Sequence, residues 1–393
     1  MASPHSHSKS TETSRARSRW KVLPLVTAGI AVVLVGVAVA AYTLHDPSGR
    51  AAASPTSTPV HAVDTSAHEG PFTVAAVTPT PGTANVPTDA TLSVQFSDPL
   101  SPTSPTPSLA PAVAGAWREV TPETFAFVAS APFVPATTET VTVPGGSGGV
   151  ASASGKTLTG PVSATFSIAP GSTLRLQQLL AQLGYLPLSF TPARPLSAPQ
   201  EAAQAQEGTF DWRWSEPASL VSLWTVGTPN TITKGAVMAF ESEHNMKTDG
   251  EAGPAVWQQL LTDADGGTID TSPYNYVYVS RALPETATVY SDGAEVYSTR
   301  ANTGVAGAPT ASGTFPVYLR YKVTTMSGTN PDGSKYVDPG IPWVSYFNGG
   351  DALHGFVRGS YGFPQSDGCV EMPPANAAVV YPLTPIGTLV TVS

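Results

Sequence analysis

The spacing of apolar residues changes character four times along the chain. From Val22 to Leu44 the residues are predominantly apolar and none is charged. At about 1.5 Å per residue this run would extend roughly 35 Å as a helix, enough to cross a bilayer with some tilt. Between residues 71 and 170 the pattern alternates with period two. In "TLSVQFS", Leu92, Val94 and Phe96 fall on one face, and "TFAFVAS", "TETVTVP" and "SATFSIA" repeat the alternation between Pro- and Gly-rich turns. Short alternating strands at this spacing predict a β-sandwich.

Residues 172–265 switch to helical spacing. "STLRLQQLLAQLGYLPL" sets Leu174, Leu176, Leu179, Leu180 and Leu183 about one turn apart, with Gly184 as the stop. "TKGAVMAFESEHNMKTDGEAGPAVWQQLL" reads as helix, Asp-Gly turn, helix, with Pro254 at a helix start. From Tyr274 the alternation returns in "YNYVYVSRA" and "ATVYSDGAEVYSTRA", where Asp292-Gly293 marks a hairpin.

Composition and charge sharpen this picture. The 39 Pro and 35 Gly in 393 residues favour β-rich modules over helical bundles. A net charge of −9, with no basic stripe, argues against nucleic acid as a partner. Arg15, Arg17, Arg19 and Lys21 precede the apolar run, so a retained helix leaves its N-terminus in the cytoplasm and exports the rest. The run exceeds the apolar core of about 7–15 residues expected of a cleaved signal peptide, so a membrane anchor is expected. The expected organisation is a basic tail (1–21), a transmembrane helix (22–44), a flexible linker (45–70), a sandwich (71–170), a small helical domain (172–265) and a β-rich C-terminal domain (273–393).

The chemistry concentrates near the end. Cys369 is the only cysteine, and a lone thiol in an exported chain is a liability unless it reacts usefully. His354 precedes it by fifteen residues, and imidazole suits the role of base to a thiol nucleophile at neutral pH. Gly355, Gly359, Gly362, Pro364 and Gly368 make a turning loop able to return Cys369 to His354. Gly368 lets the backbone approach closely, so that adjacent N–H groups can hold an oxyanion. Asp367 and Glu371 flank the thiol, and nearby negative charge opposes thiolate formation. Arg358, in the same loop, is the expected counter-ion of one of them. Tyr346, in "IPWVSYFNGG", is a further candidate contact for substrate. A catalytic thiolate would react faster than free cysteine at pH 7.

Elsewhere the bland readings prevail. Asp89 and Asp98 read as turn and surface residues. Trp212, Trp214, Trp224 and Trp257 read as core, and His244, near Glu241 and Glu243, as a solvated helix face. No metal or cofactor is expected.

Three resemblances add to this. "VTPTPGTANVPTDATLSVQFSDPLSP" resembles the opening of bacterial Ig-like domains, which implies a spacer or adhesion module. "LQQLLAQLGY … AVMAFESEHNMKTDGEAGPAVWQQLL" is similar to the peptidoglycan-binding domain found beside wall hydrolases and transferases, although residues 187–230 are longer and more aromatic than that pattern. The "HG" at His354-Gly355, the loop with "YGFP", the "S-x-GC" from Ser366 to Cys369 and the trailing "GTLVTV" resemble the L,D-transpeptidase catalytic domain. This likeness implies Cys369 as nucleophile, His354 as base, the Gly355 carbonyl orienting the imidazole, and the Gly368 and Cys369 N–H groups holding the oxyanion. It implies contacts from Ser366, Asp367, Arg358 and Tyr346 to peptidoglycan stem peptides, and 3→3 cross-links formed through a thioester. The family commonly has His at the position of Asp367 and Arg or Asn at that of Glu371. Two alternatives stay open: a non-catalytic wall-binding protein with a degenerate enzyme-like domain, and an L,D-carboxypeptidase that gives the acyl group to water.

Overall fold

The alternation in residues 71–170 folds as expected. The structure, a computed structural model, describes residues 69–393. The basic tail, the apolar run and nearly all of the linker lie outside the described residues, among which no helix is long and apolar enough to cross a membrane. The strands β1 (Val74–Thr78), β2 (Leu92–Phe96), β3 (Ser108–Ala110), β4 (Gly115–Thr121), β5 (Thr124–Ala129), β6 (Thr138–Val143) and β7 (Val162–Ser167) form two sheets, ordered β1-β2-β5-β4 and β3-β6-β7. Leu92, Val94 and Phe96 all face the core between the sheets, as period-two spacing requires when one face is buried. Asp98, expected at the surface, is instead buried and accepts a bond from the Ser97 hydroxyl at 3.0 Å.

The same alternation buries an acid. On β6, Glu139 shares the inner face with Val141 and Val143 and is 1% exposed. One carboxylate oxygen accepts from the Thr137 hydroxyl at 3.0 Å, and the other has no hydrogen-bond partner. Desolvation therefore raises its pKa. A raised carboxylate contributes its stability in full below the unfolded pKa, and that stability is lost as pH rises through the folded value. Glu139→Gln is expected to flatten this fall and to be the more stable protein at pH 8. Urea melts from pH 4 to 8 measure it, and parallel profiles for the two proteins would contradict it.

Residues 172–267 form the helical segment. It contains α1 (Thr173–Gln182), the hairpin β8 (Leu188–Pro192) and β9 (Gly208–Trp212), the single turn α2 (Ala218–Val221), α3 (Thr231–Glu243) and α4 (Pro254–Gly266). Ser172 and Asn230 cap α1 and α3 through their side chains, Pro254 begins α4, and Gly184 lies beyond α1 at φ +91°. The predicted leucine stripe accounts for only part of what α1 buries, because Gln177 and Gln178 are buried as well. The Gln177 amide bonds Thr225, Thr228, Thr233 and Gly227, while that of Gln178 bonds Gln206 in both directions. The long 187–230 stretch is thus pinned over a polar helix face that would otherwise be wet. Trp257 is core, whereas Trp212 and Trp224 are only half-buried against it. His244 is not solvated as expected: its ring lies 4.2 Å from that of Phe240, and Nε2 meets Asp263 at 2.9 Å.

The C-terminal domain packs two sheets face to face. One contains β10 (Asn275–Ser280), β11 (Thr286–Ser291), β12 (Ala294–Arg300), β13 (Gly313–Pro316) and β18 (Leu389–Val392). The other contains β14 (Leu319–Thr329), β15 (Lys335–Asn348), β16 (Asp351–Gly355) and β17 (Val370–Met372). Their orders are β12-β11-β10-β18-β13 and β14-β15-β16-β17. Asp292 and Gly293 both have positive φ, as the tight hairpin between β11 and β12 requires. The core holds Val277, Val289, Phe347, Leu353, Val370 and Val390, with α5 (Pro374–Val380) against it.

The core of the helical segment extends into the C-terminal domain. Tyr276 of β10 and Leu389 of β18 belong to the apolar cluster of α1, α3 and α4. A Cβ on Gly235 of α3 would come 2.6 Å from the Gly387 carbonyl oxygen, and one on Gly387 would come 2.3 Å from that of Gly235. Two bare backbones meet there.

Candidate functional site

His354 and Cys369 are brought together by the pairing of β16 with β17. These strands run parallel, with Leu353 opposite Val370 and His354 opposite Glu371. Leu353 and Val370 point into the core. Alternation therefore puts His354 and Glu371 on the opposite face, with Ala352 and Cys369 one step back on that face. The fourteen-residue loop that joins the strands is held from outside. The Asn302 side chain accepts from the Gly362 N–H, and the Thr303 carbonyl accepts from the N–H groups of Gln365 and Ser366. This is the return that the glycine spacing predicted.

His354 is 3% exposed. Its Nδ1 lies 3.1 Å from the Gly355 carbonyl, which only accepts, so Nδ1 carries the proton and Nε2 is the basic atom. Gly355 is needed here for a second reason: a Cβ would come 2.9 Å from Pro374 Cα at the start of α5. Desolvation lowers the imidazole pKa below its ordinary value, against smaller upward effects from the Gly355 carbonyl and Glu371.

The Cys369 thiol, only half-buried, donates to the Gly350 carbonyl at 3.6 Å. No hydrogen bond joins it to the His354 ring among the described residues. Desolvation raises it to about 12; Asp351, Glu371 and Asp367 add to the rise, and the Ala352 N–H opposes it. Thiol and imidazole are therefore both neutral at pH 7. Burial and the three acids, which oppose the thiolate, outweigh the one backbone donor.

The flanking acids divide. Asp367 is exposed, whereas Glu371 is buried and paired with Arg358 through two bonds, Nε to Oε2 at 2.8 Å and Nη2 to Oε1 at 2.7 Å. The guanidinium also lies 4.5 Å from the centre of the Phe356 ring. Two side chains expected to face substrate are committed elsewhere. Arg358 is spent on Glu371. Ser366 is buried with its hydroxyl donating to the Cys369 carbonyl, which fixes the turn that carries the thiol. Gly368 has φ +113°, in the region that favours glycine.

Two neighbours have no signal in the linear sequence. A Cβ on Gly368 would lie 2.6 Å from an Asp351 carboxylate oxygen, so that acid sits beside the proposed oxyanion donors. Desolvation raises its pKa, although it accepts from the Ala311 N–H at 3.1 Å. Tyr336, on the long β14–β15 hairpin, is close enough to Cys369 that a thiolate would raise the phenol, and the same holds for Tyr346. Tyr346 packs with Ile341, Val344, Ala352, Phe356 and Cys369 in a small apolar cluster under that hairpin. Among the described residues no group of three or more His, Cys, Asp or Glu is placed to hold a metal ion.

Residues 274–392 match the family of L,D-transpeptidase catalytic domains (YkuD), and residues 68–168 match the bacterial Ig-like domain family (Big_5). No curated protein matches the chain. Similar solved structures include an L,D-transpeptidase from Mycobacterium smegmatis, 15% identical, covering 82% of this chain and 100% of that one at a TM-score of 0.28. The catalytic domain of the E. faecium L,D-transpeptidase is 26% identical over 30% of this chain and 96% of that one, also at 0.28. L,D-transpeptidase 3 from Mycobacterium tuberculosis, in complex with a faropenem-derived adduct, is 14% identical over 81% of this chain and 97% of that one, again at 0.28. The domain assignments rest on the two family matches.

Proposed function

We propose that this chain, whose residues 274–392 match the L,D-transpeptidase catalytic domain, is a membrane-anchored peptidoglycan L,D-transpeptidase that works through a cysteine thioester. The observation that carries this reading is the placement of Cys369 and His354 on one face of two paired strands, with the imidazole tautomer fixed by Gly355. In the proposed reaction the thiol swings from Gly350 to the carbonyl between residues three and four of a donor stem. His354 Nε2 takes its proton as the C–S bond forms. The tetrahedral oxyanion faces the Gly368 and Cys369 N–H groups. The C–N bond then breaks, the departing amine takes the proton from His354, and the acyl group remains as a thioester. An acceptor amine from a second stem attacks the thioester, His354 takes its proton, and the thiolate leaves and is reprotonated, giving a 3→3 cross-link. Because both groups rest neutral, the proton moves during attack rather than beforehand.

The membrane anchor is residues 22–44, with the N-terminus inside and the bulk of the chain at the wall. Residues 172–265 serve as the polymer-binding element beside the catalytic domain. The test is mass spectrometry of the full chain incubated with a tetrapeptide-stem muropeptide. A thioester on Cys369 followed by a cross-linked dimer is expected. A trimmed monomeric stem alone would make the protein a carboxypeptidase, and an unmodified protein and substrate would leave it a non-catalytic wall binder.

A further inference from the structure

A groove of about 1120 Å³ runs between the sandwich and the helical segment, and no residue of the Cys369 site lines it. Its walls are residues 112–114 and 130–134 on one side, and α1, residues 192–206 and the end of α4 on the other. Its size suits a ligand of several residues. Arg175 lines it and is only 2% exposed.

The surroundings of that guanidinium are unusual. Nε donates to the Ala202 carbonyl at 2.8 Å and Nη1 to the Gln178 side-chain oxygen at 3.4 Å, both neutral acceptors. Among the described residues Nη2 donates to nothing, and no ion pair joins Arg175 to a carboxylate. Desolvation lowers its pKa to about 10, so it is still charged at neutral pH. A buried cation without a counter-ion is costly, and the cost is offset when an anion arrives with the ligand. Arg194, at the same groove, is largely exposed and already shared with Glu201. The rest of the lining combines the apolar side chains of Pro132, Val134 and Leu261 with the amides of Gln182, Gln206 and Gln258 and one exposed acid, Asp265, and contains no aromatic ring. Apolar side chains interleaved with amides suit a peptide backbone, and the lack of an aromatic face gives a sugar ring nothing to stack on.

We propose that this groove binds an extended peptide whose carboxylate pairs with Arg175. The choice of peptide rests on the function proposed above: an acidic stem of the wall polymer, held away from the bond being made. Such a second hold keeps polymer near Cys369 and raises its effective concentration.

Hydrogen exchange of the full chain carrying Cys369→Ser tests this. Three probes are added in turn: a tetrapeptide-stem muropeptide, the same molecule with every carboxyl amidated, and inorganic phosphate. The muropeptide is expected to slow exchange in α1 and residues 198–206, and the amidated form to leave it unchanged. Arg175→Gln should weaken the apparent affinity about tenfold or more, the scale of a lost charge-assisted bond, without lowering the melting temperature. Absence of protection, or equal protection by the amidated form, overturns the proposal. Protection by phosphate at lower concentrations than the muropeptide also overturns it, by making the groove a phosphate site. If Arg175→Gln does not fold, the free and amidated peptides still decide on the unaltered groove. Thioester formation is scored separately at Cys369. Acylation without groove protection removes this proposal alone, and protection without acylation removes the transpeptidase reading alone.

Discussion

Cys369→Ser is expected to abolish thioester formation, and His354→Ala to slow acylation by about a hundredfold to ten-thousandfold, the usual contribution of a positioned base. Both variants should remain folded, since neither side chain is in the main apolar core of the domain. The pH dependence separates this mechanism from a preformed ion pair. His354 is held below the ordinary histidine range and Cys369 near 12. Acylation should therefore fail only once the pH drops below the usual imidazole value, where Nε2 becomes protonated and can no longer accept the thiol proton. Simple alkylation by iodoacetamide, which receives no help from substrate binding, should be slower at pH 7 than that of free cysteine and should keep climbing with pH past 9. Rapid alkylation with a plateau near neutrality would rule out the neutral pair. Turnover by folded Cys369→Ser protein would remove the cysteine from the mechanism altogether.

The second large effect is expected at Arg358. Removing it leaves Glu371, 6% exposed by its side chain, charged and alone beside His354. Breaking a fully buried pair costs about 3–5 kcal/mol. Arg358 is roughly a third exposed, so water screens part of the loss and about 1–3 kcal/mol is expected for Arg358→Ala. Arg358 lowers the imidazole pKa and Glu371 raises it, so the variant should also move the acidic limb of acylation to higher pH. Adding Glu371→Gln should restore both the limb and most of the stability, whereas adding Asp367→Asn should restore neither. Chemical denaturation and the acylation pH profile of the single and double variants measure this. Rescue by Asp367→Asn instead would mean that the pairing seen here is not the one that acts in solution.

That contrast shows where the sequence stops being informative. The alternation of Leu92, Val94 and Phe96, the Asp292-Gly293 hairpin, the Gly184 stop and the Pro254 start are local physics, and each appears where its spacing placed it. The pairing of His354 with the Cys369 region was also legible, because the glycine-rich return is contiguous. Which acid Arg358 would choose was not. Asp367 is the nearer of the two acids in sequence, yet the parallel register sets Glu371 opposite His354 and leaves Asp367 on an exposed turn, so the more distant acid takes the pair. Asp351 and Tyr336 reach the thiol only through that register and the long β14–β15 hairpin. The buried amides of α1 were hidden for the same reason, since a helical stripe says nothing of a distant loop that folds over its polar face.

The contact of Gly235 with Gly387 bears on how such a chain can be inherited. Domains travel between genes most easily when their boundary is wet and loosely packed. Here the catalytic sheet contributes Tyr276 and Leu389 to its neighbour's interior, and neither glycine has room for a side chain. Recombination that cut between residues 266 and 274 would expose apolar surface on both products. Residues 172–393 are therefore the shortest stretch that keeps this contact intact.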